Sequence, residues 1–299
     1  MGKQSRRDFL KTAGFVSAGA IGLSGKSAQA TPRQILSDER MGVLVDTTVC
    51  IGCRRCELAC KREHDLPTGP EESYNDRSVF EHMRRPDSHA LTVVNEYPAQ
   101  KENHPPVDVK VQCMHCDHPA CVSACIVGAF SKQENGAVIW DESRCIGCRY
   151  CMVACPFQVP AFEYEKAIEP RIMKCDLCYS TRTSKGLPPA CVEACPEQAL
   201  IFGKRYELLK IAREKIAANP GRYVNHIYGE TEVGGTSWLY LAGQDFASLD
   251  FPNVGTKPAP GATEPIQHAI FKFFIPPVAL YALLGGIMWL GKNKEEEEE

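Results

Sequence analysis

Sixteen cysteines, falling into four sets of four with none left over, constrain this chain more than any other feature. Two of the sets lie between residues 113 and 155: Cys113, Cys116, Cys121 and Cys125, then Cys145, Cys148, Cys151 and Cys155. The later set reads C-x2-C-x2-C-x3-C and is closed by Pro156. A [4Fe–4S] cube presents four irons at tetrahedral corners, and a loop with a cysteine at every third residue wraps three of them. The fourth cysteine of such a run reaches across to ligate a second cluster. The earlier set is the same device with four residues between Cys116 and Cys121. Between the sets, Phe130–Lys132 and Val138–Trp140 flank Asn135-Gly136, a strong hairpin-turn dipeptide. The two sets are expected to fold back on each other, each donating its last cysteine to the other's cluster.

The outer sets repeat the arrangement. Cys50, Cys53, Cys56 and Cys60 have the same spacing, with Lys61 in place of the proline. Cys175, Cys178, Cys191 and Cys195 end in Pro196 and carry a twelve-residue gap at 179–190. A strand expected at 41–45 has its natural partner in the apolar stretch 199–203. The fold class that follows is α+β, two interleaved bacterial-ferredoxin-like modules of two clusters each, with a C-terminal transmembrane helix. The outer module is 41–60 plus 162–205, and the central module, 113–161, is inserted into it. The crossing rule then assigns four [4Fe–4S] clusters. Cluster A takes Cys50, Cys53, Cys56 and Cys195; cluster B takes Cys60, Cys175, Cys178 and Cys191. Cluster C takes Cys113, Cys116, Cys121 and Cys155; cluster D takes Cys125, Cys145, Cys148 and Cys151. Cysteines two residues apart are poor disulfide partners, which disfavours a disulfide scaffold. Zinc sites pair two C-x2-C knuckles and leave C-x2-C-x2-C-x3-C unexplained.

The rest of the 299 residues is read around this frame. Residues 1–30 are expected to be a signal peptide, with twin arginines at Arg6-Arg7, an apolar run from Ala13 to Leu23 and a small-residue cleavage site at Ala28-Gln29-Ala30. The insertion 61–112 is polar and proline-bearing, with one strand-like piece at 90–94. It reads as a partner-docking excursion, and His64, His82, His89 and His104 within it read as surface residues. In the extension 206–267, an amphipathic helix at 207–218 is stopped by Asn219-Pro220-Gly221. A Gly-Gly pair and a strand follow over 232–241. Residues 273–291 carry no charge and are expected to form a transmembrane helix, leaving 292–299 as a cytoplasmic tail. The expected location is therefore the periplasmic face of the inner membrane, reached by the twin-arginine route and held by one C-terminal anchor.

A formal charge of −3 gives no basic footprint for nucleic acid. No arrangement of residues suggests substrate chemistry, no flavin or nicotinamide fingerprint appears, and every cysteine is accounted for as a ligand. Arg54, Arg55, Lys61, Arg144 and Arg149 lie near cysteines; they are candidates for raising cluster potentials and equally candidates for plain surface charges.

The order of the four sets, the inserted central module, the run G-C-R-Y-C-M-V-A-C-P at 147–156 and the Gly-Gly of 233–241 resemble one known group. These are the four-cluster electron-transfer subunits of molybdopterin oxidoreductases and membrane-bound hydrogenases. The tail helix and the chain's own twin-arginine signal look most like the hydrogenase-2-type iron–sulfur subunit. The formate dehydrogenase-N beta subunit shares the tail and the C-M-H-C of 113–116. The resemblance carries cluster ligation onto all sixteen cysteines and implies a non-catalytic subunit. Its electrons would pass between a periplasmic catalytic subunit, an uptake [NiFe]-hydrogenase, and an integral membrane quinone-reactive subunit. Service to a formate dehydrogenase or another molybdopterin enzyme is the alternative. A zinc-stabilised binding protein is the remote one.

Overall fold

The computed structural model describes residues 40–100, 102, 104–261, 280–286 and 288. The chain divides into a compact unit at 36–261 and a second unit made of 1–35 and 262–299.

In the larger unit the first strand, β1 (Met41–Asp46), is an apolar run buried on both faces. Such a run suits a central strand, and β1 lies between β8 (Leu200–Lys204) and β9 (Trp238–Leu241). It pairs antiparallel to β8, with Val43 opposite Phe202, and parallel to β9, with Val43 opposite Trp238. Alternation along the strands sends Leu44, Leu239 and Leu241 to one face, where α5 (Arg205–Ala218) covers them with Leu208, Leu209 and Ala212. Val43, Val45, Trp238 and Tyr240 go to the other face and meet Met114 and Leu177, residues of the cysteine loops. The sheet thus separates a plain helix-on-sheet core from the face that carries the cysteines.

On that face, α1 (Arg55–Glu63) follows the first cysteine loop and packs on a hairpin of β2 (Thr92–Tyr97) and β3 (Val107–Gln112). Glu57 makes the joint. Its buried carboxylate accepts from the Val94 N–H at 2.6 Å and from Arg84 at 2.6 Å, with Arg54 on the same group. The segment 61–112 therefore differs from the polar excursion expected of it. Thr92, Asn95, Asp108, Lys110 and Gln112 are polar yet buried, so an alternating strand with polar residues on its inner side reads as surface.

The central cysteines are carried on small pieces. The hairpin of β4 (Phe130–Lys132) and β5 (Val138–Trp140) turns at Asn135-Gly136, where Gly136 has φ +92°. Short helices α2 (Ala120–Ser123), α3 (Tyr150–Ala154) and α4 (Ala190–Glu193) and the pair β6 (Ala161–Phe162) with β7 (Ile172–Met173) complete the unit.

The expected transmembrane helix requires correction. Among the described residues no helix is long and apolar enough to cross a membrane. Of 273–291, the structure describes a helical piece at 280–286 with Met288. The remainder of that expectation, with the tail 292–299 and the signal segment 1–30, lies outside the described residues. Among the described residues the fold is two ferredoxin-type modules, with no helix of membrane-spanning length.

Candidate metal centres

The cysteine loops come in two repeated shapes. The first and third sets both begin Cys-Ile-Gly-Cys-Arg, and in both the glycine and the arginine are left-handed: Gly52 at φ +66° and Arg54 at +57°, Gly147 at +70° and Arg149 at +61°. The first loop needs its glycine twice over, since a Cβ on Gly52 would lie 2.3 Å from the Asp108 carboxylate. The second and fourth sets share Pro-Ala-Cys-Val-x-Ala-Cys, with Pro119 and Pro189 capping α2 and α4. Backbone N–H groups point at sulfur in these loops: Ala129 to Cys125 Sγ at 3.2 Å, Gly147 to Cys145 Sγ and Leu177 to Cys175 Sγ, both at 3.4 Å. A loop that aims several N–H donors at sulfur is built for a thiolate.

The structure gathers these sulfurs into four groups of four. Cys50, Cys53, Cys56 and Cys195 line one cavity. Burial pushes the Cys50 thiol up to about 12, with the charges of Asp108, Cys195 and Cys53 adding to it. Cys60 is raised by burial and by Cys175, Cys191 and Cys178. Cys116 is raised by burial and by Cys113, Cys121 and Cys155. Cys151 is pushed up to about 12 by burial, then by Cys145, Cys125 and Cys148. Cys50, Cys60, Cys116 and Cys151 thus each stand near thiols of the set expected for them, and Cys195 lines the cavity of the first loop.

The groups also stand in order. Cys191 bears on Cys56, Cys113 on Cys175, and Cys151 on Cys121. The sequence is therefore A, B, C, D, and at the D end Cys148 is exposed.

Four buried thiols crowded together would repel one another as thiolates, so the donor set fits a polycationic centre and little else. None of the sixteen cysteines is in a disulfide. A [4Fe–4S] cube, which takes four thiolates, fits each group. His64, Asp176 and Cys178 also offer ligand atoms within 4.8 Å of one another. Cys178 belongs to group B, however, and the His64 ring is held between Cys60 O at 2.9 Å and Asp176 at 2.8 Å. His82, His89 and His104 are exposed.

The cationic side chains near the groups differ from those expected. Arg54 is bound to Glu57 and to the Ser73 carbonyl, Arg55 reaches Glu71, Arg144 pairs with Asp141, and Arg149 lies over Phe162 and Tyr164. The buried cations that bear on the thiols are lysines. Lys110 and Lys174 lie among the thiols, and Lys132 donates to the carbonyls of His115 and Cys116. The alternation of 107–112, Val-Asp-Val-Lys-Val-Gln, held the only available hint of the first.

Comparison with known proteins agrees with this geometry. Two models described as 4Fe-4S dicluster domain match residues 49–129 and 108–205. A protein of Nitratidesulfovibrio vulgaris is 48% identical over 97% of this chain and 78% of its own length. The hydrogenase-2 operon protein HybA of Escherichia coli O157:H7 is 33% identical over 93% of both chains. The iron-sulfur subunit of the nitrate-inducible formate dehydrogenase of Escherichia coli K12 is 31% identical over 90% of this chain and 92% of its own. With sixteen cysteines in ferredoxin-type spacing and near full-length likeness to such subunits, the chain holds four [4Fe–4S] clusters and belongs to the ferredoxin-type, non-catalytic electron-transfer subunits of oxidoreductase complexes, of the hydrogenase-2 type.

Proposed function

We propose that groups A to D are the ligand sets of the four clusters, with the residue memberships given above, and that they form one electron path between two partner subunits. The clusters supply one-electron exchange; the protein supplies their order, burial and hydrogen bonds. The observation that carries the reading is the succession of the groups, from Cys50 and Cys53 at one end to exposed Cys148 at the other. Around Cys148, Ile126, Ile146, Tyr150 and Val153 are all exposed. Apolar side chains clustered on a surface suit an interface, and here they surround the end of the path.

The catalytic partner in this reading is an uptake hydrogenase, and the second is a quinone-reactive membrane subunit. The likeness to the hydrogenase-2 operon protein over 93% of both chains supports the first, as does the chain's own twin-arginine motif. That motif also supports export, which would place the folded body in the periplasm. A formate dehydrogenase partner is the second reading, supported by the 31% identity over 92% of such a subunit.

Anaerobic purification of the full chain from its native membranes, with the co-purifying subunits identified by mass spectrometry, tests the proposal. Hydrogen should bleach the brown absorbance of the complex. Bleaching by formate and not by hydrogen would establish the second reading instead. A chain that emerges alone and is bleached by neither would overturn both.

A further inference from the structure

Two buried lysines stand where one cysteine group gives way to the next. Lys110, on β3, is 2% exposed. Its ammonium donates to Thr92 Oγ1 and Gln112 Oε1, both at 2.8 Å, and rests 4.4 Å from the centre of the Trp238 ring. Among the described residues no carboxylate forms an ion pair with it. The charges that bear on it are those of Cys191, Cys56 and Cys175, and it lines the cavity of Cys50, Cys53, Cys56 and Cys195. It therefore faces group A on one side and group B on the other. Lys174 is 6% exposed and donates to the carbonyls of Val138 and Cys175. Cys113, Cys121 and Cys175 bear on it, with Asp176 behind them, so it stands between groups B and C. At group D, the charges that bear most on Cys151 are those of its three fellow thiols.

A hydroxyl, an amide and a ring face do not neutralise an ammonium, and burying one without a counter-ion is strongly unfavourable. A [4Fe–4S] cube with four thiolates is anionic in both redox states and gains one negative charge on reduction. A fixed positive charge beside it balances the resting anion and favours the reduced form further. Resting on the ligand sets proposed above, we propose that Lys110 is a counter-ion shared by clusters A and B, that Lys174 is one shared by B and C, and that each raises the reduction potentials of the two clusters beside it. The lysines thereby grade the path, since they stand beside A, B and C. The exposed arginines of the loops cannot do this as strongly, because they are paired or screened by water.

The test uses the full chain, loaded with its clusters and kept anaerobic, with each midpoint followed by EPR during redox titration. Lys110→Met should change the equilibrium of two clusters at least tenfold toward the oxidised form, a fall of about 59 mV for a one-electron couple. Lys174→Met should do the same to two clusters, one of them shared with the first variant. Lys110→Arg, which keeps the charge, should stay within threefold of the unsubstituted protein. Midpoints that move less than threefold in both Met variants, all four moving together, or two affected pairs with no common member would each overturn the proposal. Should Lys110→Met fail to load, iron content decides: full loading in Lys110→Arg supports the counter-ion, while loss in both variants assigns the residue to packing. A wrong ligand assignment shows separately, because Cys195→Ser would then damage the signal that answers to both lysines, cluster B, and spare the one that answers to Lys110 alone, cluster A.

Discussion

Cys195 stands far along the chain from Cys50, Cys53 and Cys56, yet it lines their cavity. It is brought there by the pairing of β1 with β8, which follows Cys195 and Pro196 directly. Serine is a harder, poorer ligand for iron than thiolate. Cys195→Ser should therefore damage the cluster held by the first loop and spare the one held by Cys175, Cys178 and Cys191, as read from the EPR of the reduced protein. A change confined to the latter would contradict the ligand sets. Cysteine spacing makes these groups legible because a cluster demands several ligands at fixed separation, and the structure brings the same residues together. The lysines among them were not legible. A lysine in a strand normally marks solvent, and only the fold reveals that Lys110 and Lys174 have sulfur on two sides.

At the scale of elements, the same contrast separates the sheet from the hairpin beside it. Strands β1 and β8 and helix α5 announce themselves by unbroken or periodic apolar runs, because their buried faces need only burial. The β2–β3 hairpin does not, since one face carries Thr92, Lys110 and Gln112, bonded to one another, and the other carries Asn95, bonded to Arg84. Gln112 is held in turn by the Tyr240 hydroxyl at 2.6 Å. Glu57 is the joint between this hairpin and α1, so its loss reaches beyond one ion pair. Glu57→Ala strands the Val94 N–H and leaves Arg54 and Arg84 without their carboxylate. Breaking a buried pair in this way costs about 3–5 kcal/mol, and α1 carries the last cysteine of the first set. The variant should lose its brown colour at a lower temperature than the parent in an anaerobic thermal scan. Glu57→Gln, which retains an acceptor for Val94, should fall between them. An unchanged bleaching temperature for Glu57→Ala would show that the hairpin holds α1 by packing alone.

For the molecule as a whole, the clusters are part of the core. Cys191 packs among Val43, Val45 and Trp238, and Cys60 and Cys175 pack with Leu91. Four cubes require about sixteen irons and as many sulfides per chain, and without them the core is left with crowded thiols and two buried ammoniums. Removing iron should therefore loosen the whole of 36–261 together, exposing β1 and β8 to protease. The pH dependence of that removal has a definite sign. Burial, ahead of every other cause, pushes the thiols of Cys50, Cys121, Cys151 and Cys178 up to about 12, against an ordinary value of 9.0. Below that value each free thiol keeps its proton, and each must release it to hold iron. Protons thus compete with iron at every ligand, and the competition strengthens as pH falls. Chelator-driven bleaching should be more complete at about pH 6 than at about pH 8, with protease sensitivity rising in step. Group D should lose iron first, since Cys148 alone among the sixteen is exposed. Bleaching that was equally complete at both pH values would show that the thiolates are held without proton competition. Bleaching without any gain in protease sensitivity would show that the protein folds around its clusters and does not depend on them.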